Sequence, residues 1–235
     1  MALTAVKIHN LDFTYPSGTA ALQHVSLEII QGEKVAILGG NGAGKSTLLL
    51  HFNGILRGEG KVLIYGLEPV SKNLREIRKK VGIVFQNPDD QLFCPTVHDD
   101  VAFGPLNMGL DKGDVDKHVQ KALTDTGIND LADRNSFQLS FGEKKRAAIA
   151  TVLSMNPDLI ALDEPTSNLD PSGVRELAEL LNRIERTLIV ITHNIEFATQ
   201  TCDRFIVMKD GEIKKDGTPS DVLADQELLT SCGLL

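Results

Sequence analysis

Apolar and polar residues alternate through VKIHNLDFTY and again through HVSLEII, the period-two signature of strands with one buried face. The PSG turn between them predicts an antiparallel pair. KVAILGG abandons the alternation. Its apolar run predicts a strand buried on both faces, leading into a glycine-rich loop and the helix start STLLLHF. KVLIYG predicts a further strand, SKNLREIRKK a helix whose basic face is solvated surface, and VGIV a short buried strand. From Asn87 to about Pro157 the period lengthens. In DKGDVDKHVQKALTDTG, Val115, Val119, Ala122 and Leu123 recur at helical spacing and Gly127 is placed as the C-cap; FGEKKRAAIATVLSM predicts a second helix. After Pro157 strands and helices alternate through LIALDE, SGVRELAELLNRI, TLIVITH, IEFATQTC, RFIVMKDG and EIKKDG. Such alternation builds a mostly parallel sheet with crossover helices. The expectation is one α/β domain over residues 1–235. Its core is formed by about 1–86 and 158–235, with an antiparallel β edge at the N-terminus and a helical subdomain inserted over about 87–157.

Composition narrows the setting. The 235 residues are 42% hydrophobic and 24% charged, as in a folded globular chain. No apolar run approaches the roughly 18–20 residues of a membrane helix, and the N-terminus lacks the basic-then-apolar order of a signal peptide. The chain is therefore expected in the cytoplasm unless a partner holds it at a membrane. A net charge of −8 disfavours a general nucleic-acid surface. Cys94, Cys202 and Cys232 are far apart and without zinc-ligand spacing, which suits idle thiols in a reducing compartment.

The chemistry begins at Gly39-Gly40-Asn41-Gly42-Ala43-Gly44-Lys45-Ser46, followed by Thr47. It fits G-x-x-x-x-G-K-[ST] in full, after a strand and opening a helix. Glycines let backbone N–H groups wrap closely around phosphates, and the helix N-terminus adds positive potential. Lys45 is placed for the β- and γ-phosphates of ATP and Ser46 for Mg²⁺. LIALDE ends in two carboxylates, Asp163 and Glu164, at the C-terminal end of a buried strand, where open α/β sheets bind ligands. Asp163 is placed to hold Mg²⁺ and Glu164 to polarise an attacking water as general base. His193, just after TLIVIT, is either structural or within reach of the γ-phosphate. Tyr15 either packs on an edge strand or stacks on adenine, an interaction worth about 1–3 kcal/mol.

Two segments need a different reading. LSFGE (Leu139–Glu143) opens the second helix of the insertion, with Ser140 as N-cap and Glu143 completing a capping box. The same arrangement leaves backbone N–H groups at a helix start, a second anion site. FQNPDDQLF (Phe85–Phe93) fits neither a helical nor a strand period, and by composition it is a solvated loop.

In that order the motifs resemble those of the ATP-binding-cassette ATPases, over nearly the whole chain. GGNGAGKST looks like the Walker A loop, Gln86 the Q-loop glutamine, LSFGE the signature, LIALDE the Walker B strand, SNLD with Asp170 the D-loop, and His193 the switch histidine. Tyr15 matches the adenine-stacking aromatic. The resemblance implies a head-to-tail dimer in which the signature residues Ser140, Phe141, Gly142 and Glu143 act in trans on the partner's γ-phosphate. It implies catalytic roles for Glu164, His193 and Gln86, and Mg²⁺ held by Ser46, Gln86 and Asp163. The signature departs from the common LSGGQ at Phe141 and Glu143, while Ser140 and Gly142 are kept. QNPDDQLF with VAFGP resembles a narrower group, the ATPases of energy-coupling-factor importers of cobalt, nickel, biotin and other vitamins. The partners so implied are an identical or closely related second ATPase, a transmembrane coupling subunit and a substrate-binding membrane subunit, with no nucleic acid. Asp89, Asp90 and Gln91 are expected to rim a groove for the coupling helix, an acidic rim suiting a basic visitor. The rivals are a soluble ATPase of this fold in DNA repair or translation, and a regulatory module that holds nucleotide without turnover. The acidic charge speaks against the first, and intact Glu164 and His193 against the second.

Overall fold

The structure, a computed structural model, describes residues 3–235. The two alternating stretches form β1 (Thr4–Thr14) and β2 (Ala20–Ile30), paired antiparallel with Ile8 opposite Leu27. The apolar run that follows is β3 (Lys34–Leu38), and the glycine-rich loop opens α1 (Lys45–Phe52). Next come β4 (Glu59–Ile64), α2 (Leu74–Lys80) and β5 (Val81–Val84). Three helices fill the insertion: α3 (Val97–Met108), α4 (Lys112–Thr126) and α5 (Phe141–Leu153). The alternating half supplies β6 (Leu159–Asp163), α6 (Pro171–Asn182), β7 (Thr187–Thr192), α7 (Ile195–Thr201), β8 (Arg204–Lys209) and β9 (Glu212–Gly217). Short helices α8 (Pro219–Leu223) and α9 (Gln226–Ser231) follow.

Among the described residues these strands make two sheets: an antiparallel one ordered β2-β1-β4, and a six-stranded one ordered β5-β6-β7-β3-β8-β9. All neighbours in the larger sheet are parallel except β8 and β9. The α/β class, the parallel sheet, the antiparallel edge and the helical insertion are as the sequence predicts.

The unbroken apolar runs of the large sheet follow from burial on both faces. Val35 and Ile37 of β3 face α1 and the antiparallel sheet, together with Ile189 and Ile191 of β7. Ala36 and Leu38 point the other way, into a core with Leu177 and Leu181 of α6 and Phe197 of α7. Helix α1 lies between the two sheets. Its Leu48, Leu49 and Phe52 are almost wholly removed from water. Burial of each such side chain contributes about 1.5–3 kcal/mol, so the loop before α1 stands on a fixed helix.

The insertion has its own core, in which Val97 and Val101 of α3 meet Val115, Val119 and Leu123 of α4 and Ala147 and Ala150 of α5. Gly127 does cap α4, at φ 68°. Ser140 and Glu143 do form the capping box of α5. The helical pattern does not reveal α3, whose sequence carries Gly104 and Pro105. Gly104 is used for closeness: a Cβ there would stand 2.5 Å from Cγ of Met155.

One buried group on α1 carries a pH dependence. His51 is 1% exposed, its Nδ1 lies 2.8 Å from the carbonyl of Thr47, and its Nε2 is buried without a partner. The carbonyl can only accept, so Nδ1 carries the proton of the neutral ring. Burial pushes the imidazole below its usual 6.5, against a smaller opposing effect of the Thr47 bond. The unfolded chain therefore binds the extra proton more readily, and stability present above pH 6.5 is lost as the pH falls from 6.5 through the folded-state value. We expect the midpoint of urea unfolding to drop on acidification in that window, and His51→Gln to flatten the dependence there. An unchanged slope in the variant would remove this assignment.

Candidate functional site

Sheet order assembles the site. Strand ends along the sheet run β5, β6, β7, β3, so the segments that follow them stand side by side: Gln86, Asp163–Glu164, His193 and the glycine-rich loop. Register keeps them level, with Asp163 opposite Ile191 and Thr192 opposite Leu38. Residues up to 154 positions apart are thus brought to one edge, from Gly39 to His193. This is the carboxyl edge where such sheets bind ligands.

The loop Gly39–Gly44 folds back so that Lys45 Nζ donates to the carbonyls of Gly39 at 2.7 Å and Gly40 at 3.0 Å. Gly44 sits at φ 98°, and a Cβ on it would stand 2.5 Å from the carbonyl oxygen of Ala21. No side chain caps the N-terminus of α1. Its first N–H groups, on Lys45, Ser46 and Thr47, point out of the helix end as donors for an anion. Asn41, Gly42 and Ser46 are exposed at the mouth, whereas Ala43, Lys45 and Thr47 are buried. Tyr15 reaches the same place: its hydroxyl lies 3.0 Å from Thr47 Oγ1, and its ring meets Phe13 edge-on at 4.9 Å.

Opposite stand the two carboxylates, Asp163 8% and Glu164 6% exposed. Glu164 turns sharply out of β6 at φ +42°, a conformation that is uncommon for a side-chain-bearing residue and tends to mark functional sites. Its Oε1 lies 3.6 Å from Lys45 Nζ, and its Oε2 lies 3.0 Å from Nδ1 of the exposed His193. Neither approach has hydrogen-bond alignment: both Glu164 oxygens and Asp163 Oδ1 are buried without a hydrogen-bond partner. Burial raises the Asp163 carboxyl above its usual range, against the neighbouring Ser46 hydroxyl and the Lys45 and Lys145 ammonium groups. Buried acceptors left open in this way call for a cation, a proton or water. Among the described residues no cluster of three or more His, Cys, Asp or Glu could hold a metal alone. A hard cation held here would take Asp163, the Ser46 hydroxyl and Gln86 from the protein and phosphate oxygens from the nucleotide, a mode that suits Mg²⁺.

The signature residues stand apart. The Ser140 hydroxyl donates to Glu143 Oε2 at 2.7 Å, and the Ser140 N–H donates to the same oxygen at 2.7 Å. Those bonds hold the Glu143 carboxyl below its usual range. Among the described residues no hydrogen bond joins Ser140, Phe141, Gly142 or Glu143 to the glycine-rich loop. Asp170 caps α6, accepting from the Gly173 N–H at 2.9 Å.

The segment after Gln86 differs from expectation. Pro88–Asp90 forms a 3₁₀ turn. Gln91 does not rim an open groove: its amide donates at 2.8 Å to the Ala148 carbonyl and to Thr151 Oγ1, and accepts from the Phe85 N–H at 3.1 Å. A partly buried amide beside a helix fills its bonds inward. Asp89 pairs with Lys144 at 2.6 Å, so Asp90 is the member of the trio that stays open to solvent without a partner among the described residues. The exposed surface there is mainly apolar: Phe93 (65% exposed) and Phe103 (48%) meet edge-to-face at 4.9 Å, with Leu106 (56%) also exposed on α3. Asp100, 3% exposed, presents this surface by accepting from the N–H groups of Phe93 and Cys94 at 2.9 Å.

Two contributors to the site belong to none of these motifs. Lys145 is 2% exposed and lies against the carbonyls of Gln86 and Glu164. Its signal was present, since positions 145, 148, 149 and 152 form the buried face of α5 at helical spacing. Cys232 contributes only its carbonyl, which accepts from the Gly40 N–H at 2.9 Å; a Cβ on Gly40 would stand 2.9 Å from that oxygen. Nothing in a cysteine at that position signals such a role.

Residues 22–167 match the family model described as "ABC transporter". The energy-coupling factor transporter ATP-binding protein EcfA of Methanocaldococcus jannaschii is 49% identical over 236 residues, 97% of this chain and 84% of that protein. The EcfA of Carboxydothermus hydrogenoformans is 49% identical over 234 residues, 98% and 86% respectively. Among solved structures, CbiO1 from Clostridium perfringens, part of the ABC transporter complex CbiONQ, superposes with a TM-score of 0.86 at 43% identity. That match covers 99% of this chain and 95% of CbiO1. A dimeric ATP-binding cassette in a post-hydrolysis state, bound to ADP and Pi, gives 0.83 at 31% identity over 91% of this chain and 98% of that one. No helix among the described residues is long and apolar enough to cross a membrane. The chain belongs to the ABC transporter family, as an ATPase subunit resembling those of energy-coupling-factor transporters.

Proposed function

We propose that this chain hydrolyses ATP from the cytoplasmic face of the cell membrane to drive import of a micronutrient through a membrane complex. The observation that carries the ATPase chemistry is the buried convergence of Lys45, Asp163 and Glu164, with carboxylate oxygens left open, at an uncapped helix N-terminus. Tyr15 stacks on the adenine, and the loop from Gly39 to Thr47 receives the phosphates. Lys45, now bonded to its own loop's carbonyls, turns to the β- and γ-phosphate oxygens when they arrive. Ser46, Asp163 and Gln86 would hold Mg²⁺, which when bound neutralises the phosphate charge. Glu164 accepts the proton of the attacking water, and His193, whose Nδ1 lies 3.0 Å from that carboxylate, reaches the γ-phosphate or positions the water.

The signature acts across a head-to-tail dimer with an identical or closely related copy. Its separation from the glycine-rich loop of its own chain supports this reading, as does the likeness to a dimeric cassette. In the closed dimer Ser140 and Gly142 meet the partner's γ-phosphate, which requires Ser140 to exchange its bond to Glu143 for a phosphate oxygen. Asp170 follows Glu164 in the loop that runs along the dimer seam. The transmembrane coupling subunit lays a helix on the Phe93–Phe103–Leu106 surface with Asp90 at its margin, and exposed aromatics of this kind are typical interface anchors. A separate membrane subunit recognises the cargo, a cobalt or nickel ion as the first reading and a vitamin such as biotin as the second.

Lys45→Ala should lower hydrolysis about 100- to 1000-fold, the usual loss for one electrostatic contact to the reacting group; turnover near that of the unmodified chain in a phosphate-release assay removes the phosphate-loop assignment. Glu164→Gln should trap an ATP-bound dimer on size exclusion, and a chain that stays monomeric with ATP counts against the head-to-tail arrangement. Affinity purification from gently solubilised native membranes should recover a multi-helix coupling protein and a substrate-binding membrane subunit. Recovery with ribosomal or DNA-associated proteins alone would overturn the importer.

A further inference from the structure

Lys145 sits on α5, five residues after Ser140, and is buried to 2% exposure. Its ammonium donates to the carbonyl of Gln86 at 2.5 Å and stands 3.4 Å from the carbonyl of Glu164. It lies 5.6 Å from the ring centre of Phe141, one turn earlier on the same helix. The Glu164 carbonyl also accepts from the N–H and hydroxyl of Ser167, so the short bond to Gln86 is the principal one. One side chain thereby touches the signature helix, the segment after β5 and the turn after β6.

The packing alone does not call for an ammonium. It has three protons to place, two carbonyls to receive them and no carboxylate within ion-pair distance, the poorly compensated condition in which a buried charge costs most. An apolar side chain of the same length would fill the space without that cost. The neighbouring tethers run the same way. Lys144 holds Asp89, and Gln91 bonds the Ala148 carbonyl, so residues 86–91 are fastened to α5 by three side chains. Of these, Lys145 alone also reaches the Glu164 turn.

We propose that Lys145 is a positioning residue for hydrolysis: it ties the signature helix to the backbone of Gln86 and Glu164 and so sets where their side chains stand. This rests on the ATPase reading given above. Any displacement of α5, by a dimer partner at Ser140 or by a membrane subunit on the insertion, is carried through this ammonium to the residues that meet water and Mg²⁺.

The test is Lys145→Met, which keeps the unbranched stem to within one atom and removes the charge and the donor, with Lys145→Arg as the donor-retaining control. For Lys145→Met, we expect kcat to fall about ten- to a hundredfold, as a small misplacement of reacting groups does. KM for ATP should stay within about twofold, since the phosphate loop is untouched, and Tm should be unchanged or higher. Amide exchange should quicken at 86–91 and 164–167 while β5 and β6 keep their protection. Lys145→Arg should recover part of kcat. Normal kcat and exchange in Lys145→Met would overturn the proposal. So would a kcat loss matched by a lower Tm and by faster exchange throughout β5 and β6, which marks a general packing defect. If the unmodified chain fails to hydrolyse ATP, the ATPase reading falls, and the exchange comparison still decides whether Lys145 is a tether.

Discussion

Two ammonium groups and two carboxylates are buried together in this protein, and most of its architecture serves to keep them in balance. Lys45, Lys145, Asp163 and Glu164 are each less than 10% exposed. Their formal charges cancel, two positive against two negative. Removing Lys45, Asp163 or Glu164 leaves an uncompensated charge in a water-poor site, which is far more damaging than the net worth of the set, whereas Lys145, held by two carbonyls, balances only the overall charge. The energies are finely divided. Burial lowers Lys145 to about 8 and raises Asp163, and in each case the opposite charges nearby resist the shift. A polyphosphate entering such a balance must bring its own cation and find added positive potential, which the open end of α1 supplies.

The rest of the fold can be understood as the support of that balance. Lys45 is fixed because α1 is clamped between two sheets. The carboxylates are fixed because β6 lies between β5 and β7 in a register that holds strand ends level. Lys145 comes from the insertion, on the face of α5 whose Ala148, Ile149 and Val152 pack into the core of the large sheet. Motion of the insertion relative to the sheet is therefore an electrostatic event as well as a mechanical one.

Much of this was legible in the residues. Apolar runs against alternating stretches separated the doubly buried strands from the edge strands, because the two environments impose different periods. The phosphate loop was legible because its chemistry demands fixed residue types at fixed spacing, and Gly127 and Ser140 because helix ends have few solutions. Helix α3 was not, since Gly104 and Pro105 are poor helix formers kept in place by packing against Met155 and by the core of the insertion. The inward bonds of Gln91 were not legible, because neither polarity nor the likeness to a family tells whether an amide faces water or a neighbouring helix. The Cys232 contact was invisible for a deeper reason: a backbone carbonyl carries no mark of residue identity.

That contact, and the strand order, bear on how the chain is made. Strand β3, which launches the phosphate loop, is flanked by β7 and β8, at residues 187–192 and 204–209. The Gly40 N–H finds its acceptor at residue 232. Synthesis runs from the N-terminus, so the nucleotide loop leaves the ribosome long before β7, β8 and the Cys232 carbonyl that complete its support. The antiparallel sheet can pair early from local contacts, whereas β3 must wait through most of translation. Nucleotide binding is consequently one of the last properties the nascent chain acquires, and a chain interrupted before β8 has no finished phosphate loop with which to sequester ATP.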